Sequence, residues 1–190
     1  VRNRAGYILV GGKSSRFGSD KALIEIEGRP LVLRLAGLAR PAAGTVTLVG
    51  PQERYGHLKL PVIADTHAGA GPLAGILAAL EHSDQAWNLV LACDMPHLTT
   101  AFLELLFAQA EAAQQDVLLP ISPGGRDEPL CAIYAKSAAG PIRREIEKGT
   151  RKITHALNAV VIRRLQPAEY AHLDSAERLF TNVNTPADLT

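Results

Sequence analysis

The apolar run Tyr7-Ile8-Leu9-Val10 empties directly into Gly11-Gly12-Lys13-Ser14-Ser15-Arg16-Phe17-Gly18-Ser19-Asp20-Lys21. A buried strand followed at once by a glycine-rich loop calls for a sheet whose carboxyl edge opens onto a ligand. Glycines permit positive φ and let backbone N–H groups approach an anion closely, while Arg16 and Lys21 add full positive charges beside those partial ones. The pattern suits a polyphosphate. A Walker A loop is excluded, because the position five residues before Gly12-Lys13-Ser14 is Tyr7 and Gly6 is one residue out of register. A dinucleotide fingerprint is excluded too, since neither Gly11 nor Gly12 begins a Gly-x-Gly-x-x-Gly spacing.

Short β-branched apolar runs alternate with longer segments of helical period, which predicts an α/β fold: a mostly parallel, Rossmann-like sheet in three α/β/α layers. Strands are expected at Tyr7–Val10, Val46–Val49, Val62–Ala64, Leu89–Ala92, Val117–Pro120, Leu130–Tyr134 and Val160–Arg163. Helices are expected at Pro30–Leu38, Pro72–Glu81, Thr100–Gln114, Ala138–Glu147 and from Ala187 onward, with Pro30 and Pro72 suited to the first helical turn. Ligands of such sheets bind beyond the carboxyl ends of the strands, where strand order reverses. Gly11, Asp65 and Asp94 each follow a predicted strand, so three separate segments are expected to converge on one crevice.

The length of 190 residues fits one domain over 1–190. The 20 basic and 19 acidic side chains form no like-charge block, which argues against a nucleic-acid partner. No stretch approaches the roughly 18 apolar residues of a membrane span, and Val1 to Gly6 is too polar for a signal peptide. Cys93 and Cys131 lack zinc-finger spacing and are expected to be reduced core thiols of a cytoplasmic protein. The six histidines share no ligand spacing, and no serine elbow or His-Glu-x-x-His helix supplies a hydrolase nucleophile or metal site.

Taken together, Leu9-Val10-Gly11-Gly12-x-x-x-Arg16-x-Gly18-x-Asp20-Lys21, Gly28-Arg29-Pro30-Leu31, Gly71-Pro72-Leu73-Ala74-Gly75-Ile76, Cys93-Asp94-Met95-Pro96, Gly125-Arg126-Asp127-Glu128-Pro129 and Asn182-Val183-Asn184-Thr185-Pro186 span nearly the whole chain. Their order resembles that of the molybdenum cofactor guanylyltransferases, nucleotidyltransferases whose opening motif is usually Leu-Ala-Gly-Gly-x-x-x-Arg-Met-Gly-x-Asp-Lys. The resemblance implies transfer of GMP from Mg²⁺-GTP to the phosphate of molybdenum-bound molybdopterin, with release of pyrophosphate. It also implies passing contact with molybdenum enzymes or their chaperones. Family cytidylyltransferases tend to carry Ala-Ala-Gly in the first loop, so Gly11-Gly12 favours GTP over CTP. The same fold attaching a nucleotide to another small phosphate, or a non-catalytic nucleotide-binding assembly partner, are the competing readings.

In this reading Leu9, Val10, Gly11, Gly12 and Gly18 line the nucleotide, and Lys21 reaches its α- and β-phosphates unless it is an ordinary solvated lysine. Arg16 either assists at the triphosphate or closes the loop by pairing with Asp20. Asp94 leaves the sheet where a carboxylate suits Mg²⁺, and the resemblance makes it the metal ligand; a turn or helix-capping aspartate is the alternative. Asp65 has a family counterpart near the nucleotide, against a plain Asx-turn. Arg126 and Asp127 are candidates for the second substrate, against a turn with a surface ion pair. Asn182 and Asn184 share one side of an extended segment and can meet a pterin or a phosphate, against helix capping before Pro186. Two departures from the family stand out. Val10 replaces the usual alanine, which is expected to tighten the base pocket, and Leu48-Val49-Gly50-Pro51 lacks an asparagine commonly offered to the nucleotide.

Overall fold

In the computed structural model, residues 3–11, 20–65 and 71–181 are described. The strands are β1 (Arg4–Leu9), β2 (Glu25–Ile26), β3 (Arg29–Pro30), β4 (Val46–Val49), β5 (Val62–Ile63), β6 (Trp87–Ala92), β7 (Val117–Pro120), β8 (Cys131–Ala135) and β9 (Ile162–Leu165). β2 and β3 form a small hairpin; the others make one sheet in the order β5-β4-β1-β6-β8-β7-β9. All its pairings are parallel except those of β8, which runs antiparallel to both β6 and β7. The helices are α1 (Leu31–Ala43), α2 (Gln52–Tyr55), α3 (Pro72–His82), α4 (Thr100–Glu111), α5 (Ala139–Glu147), α6 (Ile153–Ala156) and α7 (Pro167–Tyr170).

Strand alternation sorts side chains into two cores, one on each face of the sheet. Ile8 and Val10 of the first strand segment pack with Leu35 of α1 and Phe102 and Leu106 of α4. Ala5 and Tyr7 face the other way, with Leu73 and Leu77 of α3 and Ile142 of α5. β6 repeats the division, Leu89 and Leu91 on one face and Val90 on the other. The central strands are apolar on both faces because helices cover both, which is the expected three-layer, mostly parallel sheet. Among the described residues, no helix is long and apolar enough to cross a membrane.

Several boundaries move. Pro30 precedes the helix in extended conformation (ψ 135°) and belongs to β3, while Pro72 does open α3. Glu27 (φ 52°) and Gly28 (φ 72°) make a two-residue turn with both φ positive, the turn that suits a tight hairpin. α1 runs on past Leu38, keeps Pro41 in its last turn, and stops where the Gly44 N–H bonds the Arg40 carbonyl at 2.8 Å. α4 stops at Glu111, before Gln114. β9 begins two residues later than expected, because Asp116 takes the Val161 N–H on its Oδ2 (3.0 Å) ahead of the ladder. Both thiols, Cys93 and Cys131, are free.

Candidate active site

Ile63, Val49, Leu9 and Ala92 lie side by side in one rung across β5, β4, β1 and β6. Because these strands are parallel, the residues two positions further on, Asp65, Pro51, Gly11 and Asp94, all emerge from the same edge. The chain winds outward from β1 through β4 to β5, then returns to place β6 on the other side of β1. Gly11 and Asp94 therefore flank the point where strand order reverses, the usual ligand crevice of such sheets. Asp65 is exposed at the far side of this edge.

At the end of β1 the backbone is packed against the segment after β4. Gly11 has φ +92°, and a Cβ there would lie 2.9 Å from Pro51 Cδ, so glycine is required twice over. A Cβ at Gly50 would come within 2.7 Å of the Val10 carbonyl oxygen and 2.8 Å of Val10 Cγ2. The Val10 side chain is buried in the core and occupies the space left by Gly50. Its methyl groups thus bear on Gly50. Leu9 points to the opposite face, where its Cδ atoms would lie 3.0 and 3.1 Å from a Cβ at Gly75, so Gly75 lets α3 approach β1.

Lys21 opens a single 3₁₀ turn over Lys21–Leu23 capped by Asp20, whose Oδ1 accepts from the Ala22 N–H at 3.1 Å. Asp20 Oδ2 accepts a 2.5 Å hydrogen bond from the hydroxyl of Tyr55, at the end of α2. The Arg54 guanidinium stands 3.5 Å from the same oxygen. Burial, followed by the bond to Asp20, pushes the Tyr55 phenol well above its usual range and keeps it a donor. Ala22 is fully buried, so the backbone on both sides of Lys21 is fixed.

Cys93, partly covered between β6 and Asp94, reports which charges meet here. Burial pushes its thiol up to about 12; the negative charges of Asp94 and Asp20 add to the rise, and Lys21 opposes it. The cation from the first loop and the carboxylate after β6 therefore act on one atom. Sequence reading passed over a third group, Glu128. The Ala92 N–H donates to the Leu130 carbonyl at 2.7 Å and Leu91 pairs with Cys131; the turn closed by the Cys131 N–H on the Glu128 carbonyl (3.0 Å) then leaves Glu128 within electrostatic reach of Asp94. Burial raises the Glu128 carboxyl, a Ser122 hydrogen bond and Arg126 oppose the rise, and Asp94 and Asp127 add to it. The signal that could have found it was its place beside Arg126 and Asp127 in one short turn.

Asp127 is held by Arg164 of β9 through two bonds of 3.1 Å, Nε to Oδ1 and Nη2 to Oδ2. Its ion pair is with Arg164, not with its neighbour Arg126, which is exposed. Gly12, Arg16, Gly18, Asn182 and Asn184, and the helix expected from Ala187, lie outside the described residues. Among the described residues, no three His, Cys, Asp or Glu side chains cluster as a ready-made metal cage. The carboxylate of Asp94 fits an oxygen-loving ion that keeps waters and takes further ligands from substrate phosphates.

The sequence profile of the MobA-like NTP transferase domain matches residues 6–165. A protein of Pelotomaculum thermopropionicum named as a probable molybdenum cofactor guanylyltransferase is 35% identical over 185 residues, covering 97% of this chain and 89% of its own length. A Nostoc protein of the same name is 34% identical over 193 residues, covering 100% and 90%. The crystal structure of molybdopterin-guanine dinucleotide biosynthesis protein A from Archaeoglobus fulgidus superposes with a TM-score of 0.84 at 32% identity, covering 97% of this chain and 94% of that one.

Proposed function

The chain belongs to the MobA-like NTP transferase family, and from that premise we propose that it transfers GMP from GTP to the terminal phosphate of molybdenum-bound molybdopterin, releasing pyrophosphate. It is a nucleotidyltransferase. The observation that supports the reading is the parallel register that brings Gly11 and Asp94 to one edge beside the strand-order reversal, with Tyr55, packed beside Gly11, bonded to the Asp20 that caps the Lys21 turn.

In the proposed reaction an oxygen of the pterin phosphate attacks the α-phosphorus of GTP; a new P–O bond forms, the α–β bridging bond breaks, and pyrophosphate leaves. The attacking oxygen is already ionised at neutral pH, so no side chain need remove a proton. Lys21 sets its ammonium on the α- and β-phosphates, where it favours the charge that builds up in the transition state. Backbone N–H groups at Gly11 align the same phosphates. Asp94 would hold Mg²⁺, the divalent ion assigned here, which when bound neutralises the leaving pyrophosphate. In this reading Arg126 meets the acceptor and Asp65 the nucleoside.

The test is pyrophosphate release from GTP, CTP, ATP and UTP with Mg²⁺, each with and without molybdenum-loaded molybdopterin. Release from GTP alone, and only with the acceptor, is expected. Preference for CTP would make the chain a cytidylyltransferase of the same fold. Tight GTP binding by calorimetry with no release under any acceptor would make it a nucleotide-binding assembly partner.

A further inference from the structure

Tyr55 is bonded to one described end of the glycine-rich segment and lies beside the other. Its hydroxyl donates to Asp20 Oδ2 at 2.5 Å, and its Cε2 lies 3.8 Å from where a Cβ would stand on Gly11. The ring is fully buried, and α2 is anchored at its start by the Arg54 and Tyr55 N–H groups on the Pro51 carbonyl at 3.1 and 3.3 Å. Pro51 in turn abuts Gly11. The carboxylate that receives the Tyr55 hydroxyl is the one whose other oxygen caps the turn beginning at Lys21.

A phenol bonded to a carboxylate at this distance is a charge-assisted contact, stronger than a neutral pair. Asp20 therefore has one oxygen committed to the core and the other to the Lys21 turn, and cannot rotate without releasing one of them. We propose that Tyr55 is a positioning residue for nucleotide binding: through Asp20 it fixes the backbone from which Lys21 reaches the phosphates. The inference rests on the reading of Lys21 as a phosphate ligand. Tyr55 does not itself touch the nucleotide; Arg54 supports the same carboxylate from the solvent side.

Tyr55→Phe keeps the ring and its packing and removes only the donor. Calorimetry with Mg²⁺-GTP is expected to show affinity reduced roughly tenfold, with KM for GTP raised and KM for the acceptor unchanged. In a Lys21→Ala background the same substitution is expected to add less than about twofold, because its effect travels through Lys21. Equal losses in both backgrounds would mean that Tyr55 merely supports the fold, and unchanged GTP affinity in the single variant would mean that it positions nothing; either result overturns the proposal. If Tyr55→Phe does not fold, Asp20→Asn decides, with a comparable loss of GTP affinity expected and wild-type affinity overturning it. Wild-type GTP affinity in Lys21→Ala itself would overturn the reading of Lys21 and this inference with it, whereas a Lys21→Ala defect beside a silent Tyr55→Phe would overturn the inference alone.

Discussion

The Val10 carbonyl oxygen lies 2.7 Å from the point a Cβ would take on Gly50, and Val10 Cγ2 lies 2.8 Å from it. The end of β1 and the segment after β4 can approach this closely only because residue 50 has no side chain. Gly50→Ala is expected to destabilise the fold by about 1–3 kcal/mol, as overpacking of a rigid site does. Val10→Ala on top of it should recover only part of that, since the carbonyl contact remains. Chemical denaturation of the two single variants and the double variant checks both statements. In the same Val10→Ala protein, the preference for GTP over CTP should be unchanged, because the side chain points into the core.

Cys93 should be unreactive despite its place at the edge of the crevice. With its thiol pushed up to about 12, chiefly by burial, the thiolate is scarce at pH 8. Alkylation by iodoacetamide, followed by mass spectrometry, should run about a thousandfold slower than for a free cysteine of pKa near 8.5. Because Lys21 lowers that pKa, Lys21→Ala should slow alkylation further, a sign opposite to what general loosening of the site would give.

What could be read from the chain, and what could not, follows from the range of the interactions involved. The first strand, its loop and the strand before Cys93-Asp94 were legible because apolar runs ending at Gly or Asp are local patterns; the parallel register then brought Gly11, Asp65 and Asp94 to one edge as expected. The reversed direction of β8 left no local mark, since a strand buried on both faces has the same composition either way. The hairpin of β2 and β3 is too short to show a period. Tyr55 and Asp20 are 35 residues apart, and nothing near either one in the chain announces the other. Glu128 was overlooked beside the more obvious charges of Arg126 and Asp127, and its significance arises from a nearness to Asp94 that depends on β8 folding back beside β6.

The Arg164 fork on Asp127 separates a structural role from an acceptor role. Both side chains are partly exposed, so the pair itself should contribute no more than about 1 kcal/mol. Arg164→Met is therefore expected to change thermal stability little. If the Ser122–Asp127 turn presents Arg126 to the acceptor, loosening it should raise KM for the acceptor severalfold and leave KM for GTP alone. Steady-state kinetics with each substrate varied in turn distinguishes this from a plain surface ion pair, which would alter neither.

Lys21 and Asp94 themselves carry the largest expected effects. Lys21→Ala should lower kcat/KM by about 10²–10³-fold, as loss of one preorganised charge in a reaction centre does. Asp94→Asn should lower kcat at least as much and shift the Mg²⁺ dependence of the rate to higher concentration, because an amide is a weaker ligand for a hard cation.

Glu128 gives a prediction whose sign depends on pH. Burial, with Asp94 and Asp127 adding, raises its folded-state carboxyl above the unfolded value, so the folded protein holds that proton more tightly. The favourable contribution is fully present below the unfolded pKa and is lost as pH rises through the folded pKa. At neutral pH the carboxylate is thus a mild liability, tempered by solvent because the group is only half-buried. Glu128→Gln should raise Tm at pH 7.5 by about 1–3 °C and by less at pH 4, where wild-type Glu128 is itself largely protonated. Differential scanning calorimetry at the two pH values measures the difference directly. An equal gain at both would show that packing of the amide, and not relief of charge beside Asp94, is responsible.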